Sequence, residues 1–282
     1  MEDIKDKTAM QKTQIFNVII LDRSGSMQRI RQAAVDGFNE TLVGIKKAQE
    51  KFADTQEHFV SLVTFCSCET CNVFDKVPVG KAHPLSMNDY EPCCSTPLYD
   101  AMGFTLTAMH KQIKDIEDVA VVVTIITDGY ENASKEYNGS SIKALVEKLR
   151  KEGWTFTYMG ANQDSMEVAM SMSIRNARNF DYSSEGTRAS MRKDTTTRMN
   201  FFSRLSQMKH EAAFCAEPMS KEERLGCYGT RWQWSADGLR QGTTHIRCPR
   251  RAATSPPGAF LFPDIFSAAA GRGRIRAEPI HR

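Results

Sequence analysis

Residues 16–27 read FNVIILDRSGSM, an apolar run that stops at an aspartate and a short Ser/Gly loop. The run from residue 15 to residue 21 is rich in β-branched side chains, which is typical of a buried strand. After the loop, apolar residues recur every three or four positions from about Met27 to Phe52, as they do on one face of a helix. The stretch therefore predicts a strand–loop–helix unit with Asp22 at the carboxyl end of the strand.

The chain up to about residue 210 continues this alternation. Two short apolar runs separated by CSCET predict an antiparallel hairpin, and Pro78 favours an edge position for its second strand. We expect an α/β fold: a Rossmann-like three-layer sandwich whose mainly parallel central sheet has one antiparallel edge strand and helices on both faces. The further predicted strands are 59–65, 72–79, 119–126 and 154–160, and the further predicted helices follow Pro97 and residue 160 and cover 141–152 and 184–210.

The loop after the first strand concentrates oxygen-bearing side chains. Asp22, Ser24 and Ser26 lie within five residues, and Gly25 is expected to permit a tight turn between the two serines. Mg²⁺ prefers oxygen ligands in near-octahedral geometry and keeps some water. Two serines spaced one residue apart are able to point at one ion, and Asp22 binds it through water or holds the serines in place.

Two more loops supply further oxygens. Asp128 follows the predicted strand at 119–126, so it is expected at the same sheet edge as Asp22, where ligands bind in such sheets. A hydroxyl from Thr96 nearly completes the coordination of a cation. Taken singly, Asp22 is also typical of a helix N-cap, and Asp128-Gly129 of a simple turn.

Three stretches together resemble the von Willebrand factor A domain and its metal-ion-dependent adhesion site. They read FNVIILDRSGSM, STPLYDAMG and VVVTIITDGYENAS. The family's pattern is DxSxS, then a threonine, then an aspartate that glycine commonly follows, and all three occur here in that order. The resemblance covers about residues 14–180, with an extension to about 210, and it does not cover the remainder of the chain.

The resemblance implies roles for five side chains. Ser24, Ser26 and Thr96 are implied as direct metal ligands. Asp22 and Asp128 are implied as ligands that act directly or through water. The implied ion is Mg²⁺ or Mn²⁺, since both accept hard oxygen ligands. One coordination position is left for an Asp or Glu carboxylate of a partner, so the expected function is metal-dependent protein binding by an adaptor or interaction module, without catalysis.

Composition divides the chain into three parts. Residues 1–13 are a polar N-terminal extension, residues 14–212 are the von Willebrand factor A-like domain with its core at 14–180, and residues 213–282 are a basic tail. Residues 1–212 hold 26 Lys and Arg against 28 Asp and Glu, whereas the tail holds 11 against 6. Six of the ten prolines also lie in the tail. We expect this tail to be mostly disordered, or to be a sequence foreign to the domain.

The sequence lacks the features of membrane insertion and secretion. No run approaches the roughly 18 apolar residues that a membrane helix needs. The N-terminal residues MEDIKDKTAMQK contain no apolar segment of the kind found in signal peptides. We therefore expect a cytoplasmic protein that does not enter the membrane.

Eight cysteines are present, and in a reducing cytosol most are expected to be free thiols. Cys66, Cys68 and Cys71, with Cys93 and Cys94, offer the ligands that zinc prefers. The spacing CxCxxC is uncommon in zinc fingers, however, and no second CxxC exists, so we interpret these residues as structural or loop thiols. Because Cys93 and Cys94 lie beside the metal-binding threonine, their oxidation is expected to disturb the Mg²⁺ site.

Two other functions are weighed against protein binding. A metal-dependent phosphohydrolase would use Asp22 as its nucleophile, but such sites usually have a second acid nearby and a lysine for the phosphate. Position 24 is serine, and the loop contains no lysine. The basic tail, with Trp232 and Trp234 as stacking residues, would bind nucleic acid. Its sparse charge favours a solvated tail instead.

Overall fold

The structure is a computed structural model that describes residues 11–160, 165–179 and 184–216. Six strands and five helices alternate along these residues. The strands are β1 (Thr13–Asp22), β2 (Gln56–Phe65), β3 (Thr70–Pro78), β4 (Val119–Thr127), β5 (Thr155–Gly160) and β6 (Asn176–Asn179). The helices are α1 (Arg31–Lys51), α2 (Leu98–Ile113), α3 (Gly139–Lys151), α4 (Ser165–Ser171) and α5 (Ser184–Ala216).

The strands form one sheet in the order β3-β2-β1-β4-β5-β6. Every neighbouring pair is parallel except β2 and β3, which form an antiparallel pair at the edge. The predicted α/β class and the antiparallel edge strand are therefore confirmed. Because β1 and β4 are parallel neighbours at the centre of the sheet, their carboxyl ends lie together.

Helices cover both faces of this sheet, as a three-layer sandwich requires. Successive side chains of a strand point to opposite faces. In β1, Val18 and Ile20 pack into a buried cluster with residues of α2, α3 and α4. Ile19 and Leu21 pack into another with residues of α1. The unbroken apolar run of β1 is thus explained by burial on both sides.

Asn17 interrupts that apolar run, and helix α5 accounts for it. Arg198 of α5 is buried and pairs with Asp194 at 2.7 Å. The same guanidinium donates to Asn17 Oδ1 at 3.3 Å and to the hydroxyl of Thr124 in β4. A buried charge needs such partners to offset the loss of its hydration. This polar network therefore attaches α5 to the two central strands.

His58 in β2 is buried beside the same helix and makes the stability of the fold depend on pH. Its ring packs edge-on against Phe202, with centroids 4.7 Å apart, and burial lowers its pKa from 6.5 to about 4. The folded state therefore resists protonation of this ring, whereas the unfolded state accepts it. Stability contributed by the neutral ring is present above pH 6.5 and is lost as the pH falls toward 4.

We expect His58 to lower the free energy of unfolding by about 3 kcal/mol between pH 7 and pH 4, at 1.36 kcal/mol per pKa unit. Urea unfolding of the wild type and of His58→Gln over this range measures it. The glutamine variant should lose less free energy of unfolding than the wild type on acidification. Equal pH dependence in the two proteins would mean that another group is responsible.

Several local features differ from the sequence predictions. A 3₁₀ segment, Gly25–Ile30, precedes α1, so the α-helix begins later than expected. Strand β6 was not predicted, because its four residues, NARN, are polar and short. Gly25 has no positive φ, so the turn between the serines does not depend on the conformational freedom of glycine. The predicted helix end at Gly153 is confirmed, with a φ of +92° at this residue.

The expectation of free thiols was wrong for one pair. Cys68 and Cys94 form a disulfide, whereas Cys66, Cys71 and Cys93 are free. The two bonded residues come from loops that fold together, which their separation in the sequence does not reveal.

The tail expectations fall mostly outside the described residues. Helix α5 continues past residue 212 to Ala216, and residues 217–282 lie beyond the described part of the chain. Among the described helices, none combines the length and apolar character needed to cross a membrane.

Candidate metal centre

Asp22 lies where β1 reaches the carboxyl edge of the sheet, and its side chain is fully buried. Its Oδ1 accepts a hydrogen bond from the backbone N–H of Ser24 at 2.6 Å. Its Oδ2 accepts one from the hydroxyl of Thr127 at 2.6 Å. These two bonds fix the carboxylate beneath the loop and orient the turn that carries the serines.

The two serines of this loop point toward the aspartate at the end of β4. Ser24 Oγ and Ser26 Oγ lie 3.2 Å apart. Ser26 Oγ donates to Asp128 Oδ1 at 2.6 Å. The other carboxylate oxygen of Asp128 is buried and has no hydrogen-bond partner within the described residues. An orphaned buried carboxylate oxygen is costly, so its presence here points to a missing electropositive partner.

Thr96 joins this group from the loop before α2. The space around Gly129 shows how close the oxygens of Thr96, Ser26 and Asp22 lie to one another. A Cβ added to Gly129 would lie 2.9 Å from Thr96 Oγ1, 3.3 Å from Ser26 Oγ and 3.7 Å from Asp22 Oδ2. Oxygens of Thr96, Ser26 and Asp22 therefore border one small space beside this glycine, and Asp128 of a third loop joins them through its hydrogen bond with Ser26. A hard cation with metal–oxygen distances of about 2.0–2.1 Å suits a space of this size and composition.

The electrostatics of the site also favour a cation. Burial raises the pKa of Asp22 from 3.8 to about 6, against the opposing effect of its hydrogen bonds. Burial likewise raises the pKa of Asp128. Two carboxylates that are held together away from water repel each other and lose hydration. A bound cation would relieve both costs, so the residues present fit a divalent metal ion.

The structure brings together all five residues that the sequence analysis predicts as metal ligands. Their burial is uneven: Asp22, Ser24, Thr96 and Asp128 are buried, whereas Ser26 is exposed. The site is thus closed from below by the sheet and is open to solvent on the side of Ser26.

Supporting residues that the sequence analysis did not identify surround the site. The buried Tyr90 donates its hydroxyl hydrogen to the backbone carbonyl of Asp22. Asn132 makes two hydrogen bonds to the backbone of Thr96 and so fixes the loop before α2, here called the threonine loop. Its side-chain Oδ1 accepts from Thr96 N at 2.9 Å, and its backbone N donates to Thr96 O at 3.1 Å. Outer partners of this kind fix the orientation of metal ligands. Proximity to Asp128 in the sequence was the available signal for Asn132, and none was available for Tyr90.

Glu131 performs a similar task for the start of α2. Its carboxylate accepts from the backbone N–H of Tyr99 at 2.8 Å and from the backbone N–H and hydroxyl of Ser134 at 2.7 Å. Because negative charge is favourable at a helix N-terminus, this residue stabilises the end of α2 that follows Thr96. The loop after β4 therefore supports the loop before α2 as well as supplying Asp128.

The sheet order and the placement of three loops at one sheet edge decide the fold type. A central parallel sheet carries one antiparallel edge strand, and helices cover both of its faces. The DxSGS loop (residues 22–26), the threonine loop with Thr96 and the aspartate loop with Asp128 meet beyond β1 and β4. The chain has the fold of a von Willebrand factor A domain.

Solved structures of von Willebrand factor A-like proteins resemble this chain at low sequence identity. Proximal thread matrix protein 1 from the mussel byssus is 13% identical, with a TM-score of 0.46 over 67% of this chain and 47% of its own. Manganese-loaded TRAP protein from Plasmodium vivax is 14% identical, with a TM-score of 0.43 over 60% and 69%. The pilus adhesin SpaC from Lactobacillus rhamnosus GG is 11% identical, with a TM-score of 0.49 over 69% and 32%.

These likenesses concern the fold alone. This chain spans about half the length of the mussel protein and about a third of the adhesin. The chain matches no protein-family model and no curated protein.

Proposed function

We propose that this von Willebrand factor A-like domain is a metal-dependent protein-binding module. Its five converging residues would hold Mg²⁺ or Mn²⁺, and the ion would offer one open position to an Asp or Glu carboxylate of a partner protein. The observation that carries the proposal is the buried, unpartnered Oδ2 of Asp128, whose other oxygen accepts from Ser26.

The neutral and the charged residues of the site would have different roles. Ser24, Ser26 and Thr96 would be neutral direct ligands, which leave the ion electrophilic enough to attract a further carboxylate. Asp22 and Asp128 would balance the charge from the buried side, directly or through water. Because Ser26 is exposed and the others are buried, a partner would approach from the side of the DxSGS loop.

Tyr130 directly follows the Asp128-Gly129 pair and gives the proposal a second test. It follows Asp128 by two residues and is 56% exposed, so its ring is available to a partner. Tyrosines at the centre of interfaces often contribute strongly to binding. We expect Tyr130→Ala to weaken partner binding about 10-fold while leaving metal affinity unchanged. Calorimetric titration with Mg²⁺ and with the partner separates the two; a parallel loss of metal affinity would contradict this role.

The phosphohydrolase alternative has less support from the geometry. Both oxygens of the Asp22 carboxylate already accept hydrogen bonds, and the side chain is fully buried. A nucleophilic carboxylate must instead reach the substrate. We therefore propose a non-enzymatic role, and Mg²⁺-dependent phosphatase turnover that is lost in Asp22→Asn would reverse it. The nucleic-acid alternative depends on a tail that lies outside the described residues.

A pull-down with the full chain tests the proposed function. The bait is presented to source-cell lysate in Mg²⁺ and again in EDTA, with Asp128→Ala as the matched variant. A partner retained only by the wild type in Mg²⁺ is the expected result, and Asp22, Ser24 or Thr96 truncation should weaken its retention. Partners that are indifferent to both EDTA and the substitution would overturn the proposed mechanism.

A further inference from the structure

Five cysteines meet beside the oxygen site, on two loops that lie far apart in the sequence. One group lies at the turn between β2 and β3, and the other lies in the loop before α2. Cys68 and Cys94 form the disulfide, and Cys66 Sγ lies 3.3 Å from Cys93 Sγ. The sulfurs of Cys66, Cys68 and Cys93 all lie within 4.8 Å of one another. The disulfide adds Cys94 Sγ beside Cys68 Sγ, so four sulfurs belong to one cluster.

The backbone holds these two loops together independently of the sulfurs. Ser67 N donates to Ser95 O at 3.0 Å, and Ser95 N donates to Ser67 Oγ at 3.0 Å. Cys93 N donates to the carbonyl of Arg23 at 2.9 Å, which ties the second loop to the DxSGS loop. Because these bonds fix both loops, the cysteine positions do not depend on the disulfide alone.

The surroundings favour thiolate at Cys66, whereas the hydrogen bond between the two thiols raises the pKa of Cys93. Arg23 Nη2 lies 3.7 Å from Cys66 Sγ and 3.9 Å from Cys71 Sγ. Burial opposes ionisation of Cys66, but hydrogen bonds from Cys93 and from the backbone amides of Cys68 and Glu69 lower the pKa of its thiol overall. Backbone amides and a guanidinium that face a sulfur stabilise the charged form that metals bind.

We propose that Cys66, Cys68, Cys93 and Cys94 form a thiolate site for Zn²⁺ once the Cys68–Cys94 disulfide is reduced. Tetrahedral zinc with Zn–S bonds of about 2.3 Å places its sulfurs about 3.8 Å apart. The 3.3 Å between the sulfurs of Cys66 and Cys93 is close to this requirement, and the sulfur of Cys68 lies within 4.8 Å of both. Breaking the disulfide would let its two sulfurs move apart around the same point.

The change from the disulfide to the zinc-bound thiolates balances in electrons and protons. A cellular dithiol would supply two electrons and two protons to the Cys68–Cys94 bond, giving two thiols, and the dithiol would itself become a disulfide. Zinc binding would then release the thiol protons to solvent. Four thiolates around Zn²⁺ carry a net charge of −2, which the adjacent Arg23 guanidinium partly offsets.

This zinc site would be separate from the oxygen site but linked to it through the chain. Sulfur ligands select soft or borderline metals, whereas hydroxyl and carboxylate oxygens select Mg²⁺ or Mn²⁺. Cys94 precedes Thr96 by two residues, and its carbonyl accepts from Gly25 N at 3.0 Å. Zinc would therefore join the threonine loop to the β2–β3 turn and hold it against the DxSGS loop.

The test uses the full chain, reduced with a phosphine, freed of excess reagent and loaded with Zn²⁺ or Co²⁺. We expect one tightly bound zinc per chain by elemental analysis, and thiolate-to-cobalt charge-transfer absorption after Co²⁺ loading. Cys66→Ser and Cys93→Ser should each lower zinc affinity at least 100-fold. Cys71→Ser is the matched control, since Cys71 lies outside the group, and it should retain both signals. Asp128→Ala should retain them as well.

A reduced wild-type chain that binds no zinc would overturn the proposal, as would equal loss in the Cys71→Ser control. Loss in Asp128→Ala would show that the zinc occupied the oxygen site instead. Should a cysteine variant fail to fold, alkylation of the wild type gives the answer. Zinc should protect the four proposed ligands from iodoacetamide, as read by mass spectrometry, and labelling of these cysteines at the same rate with and without zinc would contradict the site.

Discussion

Replacing Asp128 with alanine should abolish Mg²⁺ binding while leaving the fold intact. The side chain supplies a buried carboxylate whose Oδ2 has no partner among the described residues. Loss of an outer partner of a metal ligand commonly costs 10- to 100-fold in affinity, so loss of this residue should cost at least about 100-fold. Because burial raises the pKa of this carboxyl, its removal should not destabilise the metal-free protein.

Thermal unfolding in Mg²⁺ and in EDTA measures this effect. A ligand at 100 times its Kd stabilises the native state by about 2.7 kcal/mol. The wild type should therefore unfold several degrees higher in Mg²⁺, whereas Asp128→Ala should unfold at the same temperature in both. Asp115→Ala, which removes an exposed aspartate beyond the end of α2, is the matched control and should keep the shift. A variant that still responds to Mg²⁺ would place the ion elsewhere.

The second large effect is expected from Gly129→Ala. The added methyl group would lie 2.9 Å from Thr96 Oγ1 and 3.3 Å from Ser26 Oγ, so it would intrude on the space that the cation needs. We expect metal binding to fall at least about 100-fold, because both hydroxyls would have to move away from the ion. Since Gly129 does not have a positive φ, the backbone itself should tolerate alanine.

Gly25→Ala is the matched control for this substitution. It lies in the DxSGS loop, and its added Cβ would meet only backbone atoms, the nearest being Cys94 O at 3.4 Å. Calorimetric titration should therefore show near wild-type Mg²⁺ affinity for Gly25→Ala and none for Gly129→Ala. Similar affinities in the two variants would contradict the position assigned to the ion.

The sequence predicted the parts of this fold that follow from local pattern. The apolar run of β1 and its abrupt end at Asp22 required only burial and strand periodicity. The position of Asp128 at the same edge followed from parallel strands, whose carboxyl ends meet. The antiparallel edge strand followed from the short connection and Pro78.

Other features depend on contacts between distant residues and could not be read from a pattern. Asn17 within β1 is explained only by Arg198, which comes from the last described helix. Tyr90 lies in a loop, and nothing near it in the sequence indicates that its hydroxyl reaches the backbone of Asp22. The pairing of Cys68 with Cys94 likewise depends on how two loops meet. Each of these required the tertiary structure.

The most direct test of the central claim measures water-proton relaxation by Mn²⁺ bound to the full chain. The ion should bind the wild type with one strong site and raise relaxation, and Asp128→Ala should remove this site. A short peptide containing glutamate should then lower the relaxation by replacing a metal-bound water, whereas its glutamine counterpart should not. Equal binding by wild type and variant, or equal effects of the two peptides, would contradict a metal centre that is completed by a partner's carboxylate.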